Sequence, residues 1–112
     1  MSDNTSKETR LSLALFEKIE AYASDNDMRY NAQAIRQLLE IGLKSSEPLE
    51  DVIGPHEKRV PLSVSKHLHG AVLQVRKKLS VPANERTYEL AYRLVIVRGL
   101  RTAGVELETL RG

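Results

Sequence analysis

The chain has no cysteine and no tryptophan, and its aromatic residues amount to one phenylalanine and four tyrosines. Without thiols it has no disulfides, no thiolate zinc site and no cysteine nucleophile, and it is indifferent to the redox compartment. With so few rings the core has to be built from Leu, Ile, Val and Ala, and stacking of bases on aromatic platforms is a poor candidate function. Long hydrophobic runs are missing too. The longest, Leu94-Val95-Ile96-Val97 among them, fall far short of the roughly 20 residues that span a bilayer. The N-terminus is polar and acidic, unlike a signal peptide. A soluble cytoplasmic protein with no membrane partner is the expectation. What is present, 41% hydrophobic and 29% charged residues over 112 positions, suffices for one folded unit and leaves no room for a catalytic domain with a separate cofactor domain.

The formal net charge of +2 hides a division. Residues 1–50 carry six Lys/Arg against nine Asp/Glu, and residues 51–112 carry eleven against six. A basic second half permits binding to a polyanion through counterion release. A run such as Arg76-Lys77-Lys78, taken alone, is better read as a solvated helix face.

The hydrophobic pattern repeats. Residues 10–19 and 59–68 align without a gap, each opening on Arg and placing aliphatics at the second, fourth, sixth and tenth positions: Leu11, Leu13, Leu15 and Ile19 against Val60, Leu62, Val64 and Leu68. Period-two spacing predicts a short strand, and the change to a spacing of four predicts entry into a helix. The first such helix carries Ile19, Tyr22 and Ala23 and breaks at Ser24-Asp25-Asn26-Asp27; the second, capped by Ser65, carries Leu68, Val72, Val75 and Leu79 and ends before Pro82. A further helix follows in each half. Asn31 is the candidate cap for Ala34, Ile35, Leu38, Leu39 and Gly42-Leu43, and Thr87 for Leu90, Ala91, Leu94, Val95 and Gly99-Leu100. The offset is 49 residues at the strands and 57 at these last helices, which predicts eight extra residues in the second copy, in the loop around Val81-Pro82-Ala83-Asn84. Residues 44–58 between the copies, with Pro48, Gly54 and Pro55 and no clear period, read as a linker.

A strand and two short helices cannot bury enough surface to stand alone, and a lone strand leaves both edges unpaired. The expected fold is therefore α+β: a two-stranded antiparallel ribbon of residues 10–15 and 59–64, closed over by four helices in one intertwined domain. The copies span 7–43 and 58–101, with a tail at 102–112.

An Arg-φ-x-φ-x-φ strand followed by two helices, the second ending in an Ile35-Arg36-x-x-Leu39-like stretch, resembles the ribbon-helix-helix superfamily of Arc- and MetJ-type DNA-binding proteins. Two copies in one chain resemble the tandem arrangement of TraY-type relaxosome accessory proteins. The resemblance implies a ribbon that enters the major groove of duplex DNA, with the strand face opposite the core touching base edges. Strand parity assigns Arg10, Ser12 and Ala14 to that face in the first copy and Arg59, Pro61 and Ser63 in the second. Arg pairs with guanine O6 and N7, Ser bonds either type of edge, and Ala meets a thymine methyl. Pro61 carries no donor and breaks the equivalence of the two halves, so an asymmetric site read by Arg10, Ser12, Arg59 and Ser63 is expected. The resemblance also implies phosphate contacts at the start of each second helix, at Arg29, Tyr30 and Asn31 and at Arg86, Thr87 and Tyr88.

No cofactor, metal or enzymatic machinery is expected. His67 and His69 fall on different sides of a helix and His56 lies in the linker. The expected role is a transcriptional regulator, such as a repressor, or a plasmid transfer or maintenance accessory factor. The alternative is an antitoxin-type module that binds a protein partner through its tail, where Val105, Leu107 and Leu110 either pack on the core or stay free. With both strands in one chain, a monomer in solution is expected, with cooperative assembly on DNA left open.

Overall fold

The computed structural model describes residues 4–79 and 85–110. The chain runs β1 (Asn4–Leu11), α1 (Leu13–Asp25), α2 (Asn31–Lys44), β2 (Asp51–Val52), β3 (Lys58–Ser65), α3 (Lys66–Lys78), α4 (Glu85–Thr102) and β4 (Thr109–Leu110). It is an α+β arrangement of four helices and an antiparallel β1–β3 ribbon, with a second, two-residue pairing of β2 with β4.

Two serines set the frame. The Ser12 and Ser65 side-chain oxygens each accept a hydrogen bond of 3.1 Å from the backbone N–H of Leu15 and Leu68. Each thereby satisfies one of the donors that a helix start leaves free. Behind each serine, aliphatic or aromatic residues at helical spacing turn inward: Leu15, Ile19 and Tyr22 in α1, and Leu68, Val72 and Val75 in α3. These triplets match with a displacement of 53 residues, as do the helix bounds themselves.

The strand register gives the same displacement independently. Asn4 faces Ser65, Glu8 faces Pro61 and Leu11 faces Lys58. The one facing pair whose members lie 53 residues apart is Glu8 and Pro61, so a pseudo-two-fold axis passes between them. A second displacement, 57 residues, relates α2 to α4, where Ala34, Leu38, Leu39 and Gly42 correspond to Ala91, Val95, Ile96 and Gly99, all buried. These two helices cross so closely that a Cβ on Gly42 would strike the Val95 carbonyl oxygen, and one on Gly99 would strike the Leu38 carbonyl oxygen. The clashes exchange under the same pseudo-symmetry.

This corrects the strand expected at 10–15. β1 ends at Leu11; Leu13 lies in the first turn of α1 and is 63% exposed, and Leu15 is a buried helix residue. The repeat aligned at 10–19 was four residues out of step. A slip of four preserves a period of two and nearly preserves one of 3.6, so the aliphatic pattern looks right in either register. In the true register the positions matching Val60, Leu62 and Val64 are Lys7, Thr9 and Leu11. The second copy is then longer by four residues between its helices instead of eight; the Val81-Pro82-Ala83-Asn84 loop lies outside the described residues. The expected strand at 59–64 lies within β3, where Val60, Leu62 and Val64 are buried.

One cluster of buried side chains draws on both copies, from Leu11, Ile19 and Leu38 to Val64, Val72 and Ile96. The linker and tail join it: Val52 is buried, and Leu49, Val105 and Leu107 pack against the core partly buried. β2 of the linker packs on α4, whose residues Ala91, Tyr92, Leu94, Val95, Ile96 and Val97 are all buried. Four successive buried residues, Leu94 to Val97, leave that stretch of α4 no face turned to water.

Candidate functional site

The ribbon has a face the core does not use. Glu8, Arg10, Arg59, Pro61 and Ser63 are exposed, whereas Thr9, Leu11, Val60, Leu62 and Val64 alternate with them and are buried. Pro61 is tolerated because a two-stranded ribbon leaves alternate N–H groups pointing at solvent. Arg10 and Arg59 face each other across the strands, an arrangement of like charges that costs stability. Each turns to a carboxylate: Arg10 Nε lies 3.9 Å from Glu89 Oε1, and Arg59 Nε lies 3.7 Å from Glu8 Oε1. The Arg10 and Arg59 side chains remain 51% and 69% exposed, and solvent-facing pairs of this kind contribute little. Both guanidinium groups can be redirected to an external acceptor at small cost.

Arg10, Arg59 and Ser63 therefore sit on the outward ribbon face as expected, and Ser12 and Ala14 do not. Ser12 is buried with its side chain engaged as the cap of α1, and Ala14 is exposed on that helix. Neither belongs to the strand, because β1 ends one residue earlier. Glu8 and Glu89, the carboxylates beside the two arginines, are not marked by the aliphatic repeat. The shared Ser-x-x-Leu spacing of Ser12–Leu15 and Ser65–Leu68 was the signal that would have placed Glu8 at the centre of the face.

At the start of α2 the N-cap position is Tyr30 and Asn31 is the first helical residue, which corrects the capping role given to Asn31. Gln33 does the capping instead: its side-chain oxygen accepts from the Tyr30 N–H at 3.4 Å. Arg29 and Tyr30 are exposed, with the guanidinium 5.6 Å from the ring centroid. The second helix of the other copy differs. α4 starts at Glu85, so Thr87 lies inside its first turn and is not its cap; the Arg86 side chain lies outside the described residues. Tyr88 turns inward, which removes it from the expected phosphate contacts. Its hydroxyl lies 2.8 Å from His69 Nδ1, which is also 2.7 Å from the Tyr92 hydroxyl. Burial, then the neighbouring Tyr88, pushes the Tyr92 phenol far above its ordinary range.

A third polar group fastens the linker. Arg93 donates to both carboxylate oxygens of Asp51 at 2.8 Å, and His56 Nε2 lies 3.9 Å from Asp51 Oδ1. Burial raises the Asp51 pKa, but hydrogen bonds from Arg93 and the Val52 N–H, with the charges of Arg93 and His56, outweigh it and hold the carboxyl below its ordinary value. Burial, aided by the Arg93 charge, lowers His56. Beside this group an open cleft runs between the first turns of α1 and the tail, lined by Ala14, Lys18, Ile53, Arg101 and Leu107 among others.

Among the described residues no group of three or more His, Cys, Asp or Glu side chains is placed to hold a metal ion, and no helix is long and apolar enough to cross a membrane. Comparison of the chain with protein-family models, with curated proteins and with solved structures found no match.

Proposed function

We propose that this chain binds duplex DNA sequence-specifically as a tandem ribbon-helix-helix protein, laying the β1–β3 ribbon in the major groove. The observation that carries the reading is the uncovered ribbon face with Arg10 and Arg59 at its surface, backed by a pseudo-two-fold pair of strand-helix-helix units. A ribbon of two strands is narrow enough for a groove about 12 Å wide, and its backbone presents a rigid row of alternating side chains to base edges. The exposed Arg29 and the positive dipole end at the start of α2 supply a phosphate anchor for the first copy. In a cell such a protein serves as a transcriptional regulator or as an accessory factor in plasmid transfer or maintenance. The tail packs against the core and pairs with the linker, which favours this reading over capture of a protein partner by a free tail.

The test is selection of bound duplexes from a random pool, followed by affinity against salt. With six or more phosphate contacts the selected duplex is expected to lose about 10³-fold in affinity between about 50 and 200 mM salt. Failure to retain any duplex at low salt would overturn the proposal.

A further inference from the structure

The true register changes what Arg10 and Arg59 are to one another. They are not equivalent residues of two copies. With the axis between Glu8 and Pro61, Arg10 corresponds to Ser63 and Arg59 corresponds to Ser6, while Arg10 faces Arg59 and Ser6 faces Ser63 across the strands. One end of the ribbon therefore holds both arginines, and the opposite end, at the same distance from the axis, holds the serine pair. Two identical chains arranged around a true axis would carry the same residues at both ends. This chain divides them.

Resting on the DNA-binding reading above, we infer that the protein recognises a non-palindromic duplex and docks on it in one orientation, with Arg10 and Arg59 together reading guanines in the same half-site. Guanine offers O6 and N7 side by side in the major groove, the acceptor pair that a guanidinium fork matches, and engaging them separates two positive charges that otherwise oppose each other. Ser63, at the opposite end, makes weaker demands, because a hydroxyl donates to or accepts from any base edge. Glu8, at the axis, repels phosphate and accepts only from an exocyclic amine, so the centre of the site favours cytosine or adenine amines on the strand it faces. The other end of the ribbon is further distinguished by Arg36, whose Nη1 donates to the Ser63 carbonyl at 3.3 Å. The residue matching Arg36 in the second copy, Arg93, is committed to Asp51.

The experiment is random-pool selection with the full chain and with Arg10→Ala, Arg59→Ala and Ser63→Ala, all exposed positions whose fold is checked by a urea midpoint no lower than that of the unaltered chain. The expected site has its strongest base preferences in one half, including guanine. Arg10→Ala and Arg59→Ala each lower affinity for it about 10- to 100-fold and relax preference in that same half, and Ser63→Ala leaves that half intact. A palindromic site, arginine variants that act on opposite halves, or arginine variants that change nothing would each overturn the inference while leaving DNA binding in place. Retention of no duplex by any of the four proteins would defeat the DNA-binding reading and this inference with it.

Discussion

Gly42 and Val95 touch where no side chain fits between them: a Cβ on Gly42 would sit inside the van der Waals radius of the Val95 carbonyl oxygen, and Gly99 stands in the same relation to Leu38. Because the obstacle is backbone, no rotamer change relieves it. Gly42→Ala and Gly99→Ala are each expected to destabilise the protein by about 3 kcal/mol or more, a large share of a small domain's stability. Gly70, in the interior of α3 with no atom near its missing Cβ, is the control: Gly70→Ala is expected to stabilise by about 0.5–1 kcal/mol. Urea unfolding midpoints measure all three.

Ser12 tests the corrected register. As a helix cap it is expected to behave like Ser65, with Ser12→Ala and Ser65→Ala each costing about 1 kcal/mol in urea unfolding. Neither substitution is expected to alter which bases are preferred by the protein that remains folded.

The same correction separates Leu13 from Leu15. Leu15 is 1% exposed and Leu13 63%, so Leu15→Ala is expected to cost about 2–5 kcal/mol and Leu13→Ala less than about 0.5 kcal/mol. Comparable losses at both positions would restore the strand expected at 10–15.

Acid should loosen the linker. The folded His56 pKa is depressed below its ordinary 6.5, so the unfolded chain takes up that proton first and stability falls as pH drops below this value. Asp51 is depressed below 3.8, so its contribution is present above that value and is lost as pH falls through the folded pKa. Thermal melts followed across acid pH are expected to show both declines, and His56→Gln to flatten the first of them.

How far these features could be read from the sequence depends on how much apolar patterning each element carries. α2 and α3 were legible because Ala34, Ile35, Leu38 and Leu39, and Leu68, Val72 and Val75, leave a single plausible helical stripe. β3 was legible through Val60, Leu62 and Val64. β1 was not: Asn-Thr-Ser-Lys-Glu-Thr-Arg-Leu contains one aliphatic residue, and it is a strand because β3 offers it an edge. The linker's polar tie to the core joins Arg93 to Asp51, 42 residues away in sequence, and local spacing cannot reveal it. On the outward face, Arg10 and Arg59 were found, but their relationship was inverted from repeat partners to cross-strand neighbours.

Which surface meets DNA is tested most directly by titrating the isotopically labelled chain with a selected duplex and following backbone amide chemical shifts. The largest changes are expected at Arg10, Arg59 and Ser63 and at the start of α2 around Arg29. Changes confined to Ile53, Val105 and Leu107 along the cleft, with the ribbon unmoved, would contradict DNA binding by the ribbon.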